Sequence, residues 1–470
     1  MSKIVLIGID AATWTVIDPL LKDGKLPSIS SLIENGVRAP LKSLQGYKSP
    51  ALWTSIATGK TPEKHSILYF SNLYLGKTKS RNISTNPLIN WPLRLKNQIH
   101  KDPFTTSRSG HFLNKAYVYS MLKYGRLLEK LKMGGNRLTT STSLQEKTMW
   151  EMLSNEKVSC GVVGWLVTWP AQKIHGAMIS EKAIEGLQKI YKNKFDLEEA
   201  KVSITFPEEI NEEISSLKKK AEEISDQEID GFFNNLSADE KQQIRKDIFD
   251  RKSRLSFFTH LYLSDLFSTE AGLHLKNKID PDFLSVYLPG LDGIQHLFWQ
   301  FHQPESFSFL PEDQTHVDKF KDMVNNYYIF LDSLISRMVD DEAVIILASD
   351  HGMEAISEKD FDKTAIRSGQ HENSPDGILI MSGGPIKRGE RLEKATILDV
   401  APTVLYLLGK EVDINIEGKV LKDAFDPTHI ENNPVRKKDY GKKKGGQESF
   451  YTSKEEKEVK DRLKALGYLD

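Results

Sequence analysis

Four short runs of apolar residues restrict the folds open to this chain, and three of them lead into an aspartate. Residues 3–8 read Lys-Ile-Val-Leu-Ile-Gly and pass through Ile9 into Asp10. Residues 282–288 precede Asp292 and His296, residues 343–348 precede Asp350 and His351, and the run 377–382 follows closely on His371. A strand that is apolar at every position, rather than at every second one, is buried on both faces. Helical spacing fills the intervals, through Trp14, Val16, Ile17, Leu20 and Leu21, then through Ile29, Leu32 and Ile33. A longer amphipathic helix is predicted through Val317, Phe320, Val324, Tyr327, Leu331, Leu334 and Met338. Strands alternating with helices predict an α/β fold with a mostly parallel central sheet flanked by helices. Ligands of such sheets gather at the carboxyl ends of the strands, where Asp10, Asp292 and Asp350 fall.

With 470 residues, the chain is long enough for one large α/β domain carrying an insertion, or for two domains. We assign 1–71 and 281–430 to the α/β core and 72–280 to an insertion or cap region. The insertion is basic and polar to about residue 145 and helix-rich and charged over 207–278, with a strand–loop unit returning between Val158 and Pro170. Residues 431–470 read as a basic linker followed by a C-terminal docking helix with Val459, Leu463 and Leu466 on one side. A formal net charge of −1 implies no general attraction to nucleic acid or anionic membranes. The single cysteine, Cys160, excludes an intramolecular disulfide framework and reads as a small buried side chain. No stretch approaches the roughly 18 apolar residues of a membrane span, and cleavage of a signal peptide would remove the first strand. The expectation is a cytoplasmic protein.

Asp10, Asp292, Asp350, His296, His351 and His371 make up the donor set that two adjacent divalent metal ions require. Asp292 and His296 stand four residues apart, which on a helix puts both on one face. That pair alone is common without a metal. Asp350-His351-Gly352 is more telling, because a charged pair leaving an apolar strand must be solvated, paired or metal-bound. Ser49 precedes Pro50 at the start of a predicted helix over 49–58, which places it at the N-cap with backbone N–H groups aimed towards it. It is either a plain helix cap or, beside two metals, a nucleophile activated by coordination. Two ions about 4 Å apart beside a helix N-terminus suit in-line displacement at phosphorus.

These residues sit in longer motifs: Gly8-Ile-Asp10, Ser49-Pro-Ala-Leu-Trp-Thr-Ser-Ile-Ala-Thr-Gly59, Pro62-Glu-Lys-His65, Leu291-Asp-Gly-Ile-Gln-His296, Ala348-Ser-Asp-His-Gly352 and Gln370-His371. In them, and in the closing segment 397–409, the chain resembles the alkaline phosphatase superfamily, in its branch of type I phosphodiesterases and nucleotide pyrophosphatases. The resemblance covers about 1–70 and 280–410, and only 163–170 of the middle. It implies an alkaline-phosphatase-like fold and two metal sites, one from Asp292, His296 and His371 and one from Asp10, Asp350 and His351. Zinc is the implied metal, with manganese as the alternative. Ser49 would bridge the two ions and carry a phosphoserine intermediate in the hydrolysis of a small phosphorylated substrate, be it a phosphodiester, a pyrophosphate or a phosphomonoester. A phosphoryl transferase or mutase would use the same core, and a non-catalytic binding protein would keep the fold. The better-known nucleotide-cleaving members carry threonine and asparagine where this chain has Ser49 and Leu52, and glycine where it has Ser66. His65 is read as structural.

Overall fold

The apolar runs become the middle of one ten-stranded sheet. The computed structural model describes residues 3–75, 81–82, 123, 127, 130–131, 134–191, 203–307, 314–357, 366–371 and 375–443. The docking helix expected around Val459 to Leu466 falls outside them. The strands are β1 (Lys3–Ile9), β2 (Gly36–Lys42), β3 (Cys160–Val163), β4 (Gly176–Ile179), β5 (Thr205–Phe206), β6 (Phe283–Leu288), β7 (Ala343–Ala348), β8 (Gly377–Ser382), β9 (Glu390–Arg391) and β10 (Ala395–Thr396). Their order is β9-β2-β8-β7-β1-β6-β3-β4-β5, with β10 also paired to β2. From β7 to β4 all neighbours are parallel, whereas β8 runs antiparallel to β7 and β2, and β5 antiparallel to β4. The sheet is thus mostly parallel, as the alternation of elements predicts. The stretch 72–280 supplies three of its strands, β3 to β5, in addition to helices.

Alternating side chains of the central strands feed two separate cores. Val5, Ile7 and Ile9 join Leu284, Val286 and Leu288 on one face, with Ile345 and Leu347. Ile4 and Leu6 join Phe283, Tyr287, Val344 and Ile346 on the other. Each aliphatic side chain so buried contributes about 1.5–3 kcal/mol, which is why the runs carry no polar alternation. The first face is covered by α1 (Trp14–Lys22) and α2 (Pro27–Glu34), the second by α3 (Ser49–Thr58) and α4 (Met149–Asn155). The first face also takes α5 (Arg254–Ile279), α6 (Gly290–His302), α7 (Gln314–Phe320) and α8 (Met323–Met338), and the second α9 (Val400–Leu407).

Two local readings shift. Ser49 is the first residue of α3 and Lys48 is its cap, because the Lys48 carbonyl already accepts from Ala51 and Leu52 at 2.9 and 3.2 Å. The single helix expected from Val317 to Met338 is two, α7 and α8. Asn234 takes the Lys319 carbonyl with its backbone N–H at 3.1 Å and the Asp318 carbonyl with its side chain at 3.2 Å, so the end of α7 is capped and not continued. Among the described residues, no helix is long and apolar enough to cross a membrane.

Register sets the site. Ile9 pairs with Leu288 and Gly8 with Ala348, so Asp10, the start of α6 and Ser349-Asp350 arrive at one edge of the sheet.

Candidate active site

The structure brings all six predicted ligands and Ser49 into the buried interior at or beside this edge. Asp10 closes β1, its backbone N–H donating to Leu288 at 3.1 Å. Ala11 then adopts a left-handed φ of 62°, costly for a residue with a Cβ. The Gln295 amide holds it there by donating to its carbonyl at 2.8 Å. One carboxylate oxygen of Asp10, Oδ2, accepts from the Tyr287 hydroxyl and from Trp53 Nε1, the latter at 3.3 Å. Gly8 permits this, since a Cβ there would stand 2.7 Å from the Trp53 ring. Trp53 lies one turn after Ser49 on α3, and residues four apart share a helix face. The serine therefore starts the helix on the side that meets Asp10. The neighbouring Lys48 ammonium acts electrostatically on His296, His351 and His371 alike.

Asp292 and His296 share one face of α6, with Oδ1 3.4 Å from Nε2. His296 Nδ1 lies 2.7 Å from the Gly369 carbonyl, which fixes the proton on Nδ1 and leaves the Nε2 lone pair facing the site. His351 follows the same rule: Nδ1 meets the Gly352 carbonyl at 2.9 Å. Its Nε2 faces Asp350 Oδ2 at 3.3 Å and Asp10 Oδ1 at 3.6 Å. An imidazole lone pair directed at two carboxylate oxygens repels them unless a cation stands between. Those three atoms are buried and, among the described residues, have no hydrogen-bond partner. That cation is not a proton on the imidazole, because burial pushes His351 below the usual histidine range. Burial likewise drives His296 and His371 well down, helped in both by the Arg367 and Lys48 charges. Asp350 is driven well up by burial and by the Asp10 carboxylate.

His371 is delivered by a short antiparallel ribbon in which Glu354 pairs with Gln370. Its ring stacks on His351 with centroids 4.2 Å apart and lies 5.2 Å from His296. One donor atom each from Asp292, His296 and His371 falls within 4.8 Å of the others, as does a set from Asp10, Asp292 and His351. Asp292 therefore stands between two groups that the resemblance keeps separate, with Asp350 against His351 at the far side. Nitrogen and oxygen donors with oriented imidazoles fit zinc or manganese.

Several contributors were not foreseen. Trp53 had a usable signal in its spacing from Ser49, and Tyr287 in being a hydroxyl inside a buried strand. Asp265 is the one carboxylate in a long apolar stretch of α5. It accepts from the Gly290 N–H at 2.9 Å and the Tyr327 hydroxyl at 2.7 Å, tying down the first turn of α6. Burial raises it to about 7. Arg367 lies along His296, and nothing in its local sequence marks it. His65 is structural: Nδ1 accepts from Ile67 at 3.1 Å, Nε2 meets Ser55 Oγ at 3.0 Å, and burial holds the ring neutral, down to about 3. Ser66 has φ 69°, a conformation that suits the glycine of related chains.

The family described as type I phosphodiesterase / nucleotide pyrophosphatase matches residues 4–464. No curated protein matches the chain by sequence. Among solved structures, an inactive murine ectonucleotide pyrophosphatase/phosphodiesterase 5 in complex with AMP aligns at 11% identity and a TM-score of 0.42, covering 91% of this chain and 100% of that one. The human counterpart aligns at 10% identity and a TM-score of 0.45, covering 90% and 100%.

Proposed function

The chain belongs to the type I phosphodiesterase / nucleotide pyrophosphatase family, and from that premise we propose that it hydrolyses phosphate esters with two divalent metal ions and Ser49 as nucleophile. The observation that carries the reading is the buried contact of His351 Nε2 with Asp10 Oδ1 and Asp350 Oδ2, three electron-pair donors facing one another. Asp10, Asp350 and His351 would hold one ion and Asp292, His296 and His371 the other, with zinc the expected metal. Bound there, the ions supply Lewis acidity for the phosphoryl oxygens and lower the pKa of the serine hydroxyl.

The chain's own groups divide the remaining tasks. Tyr287 and Trp53 pin Asp10 Oδ2, so its other oxygen is the one presented to the site. Gly369 and Gly352 carbonyls hold the two imidazoles in the tautomer with Nε2 available. Ser49 Oγ gives up its proton to solvent and attacks phosphorus, and the leaving oxygen takes a proton from solvent in return. The P–O bond to the leaving alcohol breaks in line, giving phosphoserine, and water then cleaves the Ser49 ester to release phosphate or the remaining ester. Backbone N–H groups at the start of α3 stabilise the equatorial oxygens.

Elemental analysis of the purified protein, with turnover of a chromogenic phosphate ester, tests this. Bound divalent metal is expected, and Ser49→Ala should lower turnover by about 10³-fold or more. A protein without divalent metal, or a Ser49→Ala variant that turns over normally, would refute it.

A further inference from the structure

We propose that Gln295 is a positioning residue that joins the two ion sites: from the helix that carries Asp292 and His296, it holds the turn that follows Asp10. The proposal rests on the hydrolase reading above. Gln295 immediately precedes His296 on α6 and is fully buried. It stands about 100° around the helix from His296, away from the donor atoms of its own helix. Its amide Nε2 donates to the Ala11 carbonyl at 2.8 Å, and its Oε1 accepts from the Tyr328 hydroxyl of α8 at 3.1 Å. That hydroxyl in turn accepts from the Thr13 N–H at 3.0 Å. Gln295 and Tyr328 thus grip the peptide groups on either side of Ala12, in a part of the interior where Ala11, Ala12, Thr13 and Tyr328 are all buried.

The turn needs such a grip because Ala11 is not glycine. A left-handed φ of 62° disfavours a residue with a Cβ by a factor of about 5 to 30. Two groups of the Asp10 site depend on that turn. Asp10 is fixed on its amino side by the Leu288 carbonyl, and on its carboxyl side the chain leaves through Ala11. The Ala11 N–H also reaches Asp350 Oδ1 at 3.5 Å. The segment that delivers His371 packs on the same turn of α6. The Ser368 N–H donates to the His296 carbonyl at 2.7 Å, and a Cβ on Gly369 would stand 2.4 Å from the Gln295 carbonyl. One turn of α6 therefore supplies Asp292 and His296 to one ion, seats the strand that brings His371, and through Gln295 shapes the backbone that presents Asp10 to the other.

Zinc titration of the chelator-treated full chain provides the test. Gln295→Met keeps the length and helix propensity of the side chain and removes both amide contacts. Each site is read with the other disabled: His371→Ala leaves the site of Asp10, Asp350 and His351, and His351→Ala leaves the site of Asp292, His296 and His371. Gln295→Met should lower zinc affinity about 5- to 30-fold in the His371→Ala background and by less than about twofold in the His351→Ala background. The variant thus weakens the site its own helix does not supply. Adding Ala11→Gly should restore the affinity to within about threefold, because glycine takes the left-handed turn unaided. A general loosening of the fold would not be repaired in that way. Tyr328→Phe, which loses only a hydroxyl, should weaken the same site and be rescued by the same glycine, and it decides the matter if Gln295→Met fails to fold. Equal losses in both backgrounds, a loss confined to the His351→Ala background, or no rescue by Ala11→Gly would overturn the assignment. An unaltered protein that binds no divalent metal would bring down the hydrolase reading itself, whereas two bound ions with undiminished affinity in Gln295→Met would overturn this inference alone.

Discussion

His351 shows at the scale of single residues how the candidate donor set costs stability. Its lone pair and the carboxylates of Asp10 and Asp350 meet in the protein interior, a juxtaposition a core would otherwise avoid. Asp350→Asn should therefore raise the stability of the chelator-treated protein, by roughly 1–3 kcal/mol in urea titration, while lowering metal-supported activity at least about 100-fold. A loss of stability in chelator would count against the repulsion argued here. The six candidate ligands could be picked out in the sequence because each is a charged or titratable residue close to an apolar run, a position that needs a special partner. Arg367 could not, because a lone arginine acquires its meaning only from the fold that lays it along His296. Tyr287 and Trp53 carried signals, but that both would converge on Asp10 depends on register and on the packing of α3, which no local pattern encodes.

Elements position those residues, and two buried polar contacts hold the elements. Asp265 on α5 ties the first turn of α6, the helix that presents Asp292 and His296. Burial lifts its pKa from 3.8 to about 7, so the folded chain binds more protons than the unfolded one between those values. Its stabilising contribution is full below about pH 4 and is lost as pH rises to about 7, on the order of 4 kcal/mol in all. Asp265→Asn keeps an acceptor for the Gly290 N–H and is neutral throughout, so the decline in stability between pH 4 and 7 should flatten. Urea midpoints across that range check it, and an unaltered slope would contradict it. Behind α3, Lys60 Nζ contacts Glu146 at 2.6 Å and Asp413 at 2.8 Å, and all three side chains are nearly inaccessible to water. Lys60→Met would strand two carboxylates and should cost about 3–5 kcal/mol. Guanidinium unfolding of the variant measures it; a cost below about 1 kcal/mol would rule the buried network out as a structural support. The long apolar strands were readable because both their faces are buried, and the unit at 160–163 was visible for the same reason. β4 and β5, of four and two residues, fall below the length at which a periodicity can be recognised.

For the molecule as a whole, the proposed metal binding and folding are one equilibrium. An ion present at about 100 times its Kd adds about 2.7 kcal/mol, so chelation should lower Tm by several degrees. The gap should widen with pH. Asp350 is raised above its ordinary 3.8, so the metal-free fold loses that contribution as pH climbs past the unfolded value, whereas ions bound to the carboxylate offset the loss. Thermal scans with and without chelator at pH 5 and pH 8 decide this, and a gap that narrows with pH would speak against it. The sheet topology has a consequence in time as well as in space. β1, at the centre of the sheet, pairs with β6 and β7, whose first residues are 283 and 343. At about 5–20 residues per second, the ribosome delivers the second partner roughly 15–70 s after the first strand emerges. Through that interval the nascent chain carries an apolar strand that lacks one or both of its partners, so its yield in the cell should depend on chaperones that shelter the amino-terminal end until residue 343 has been made.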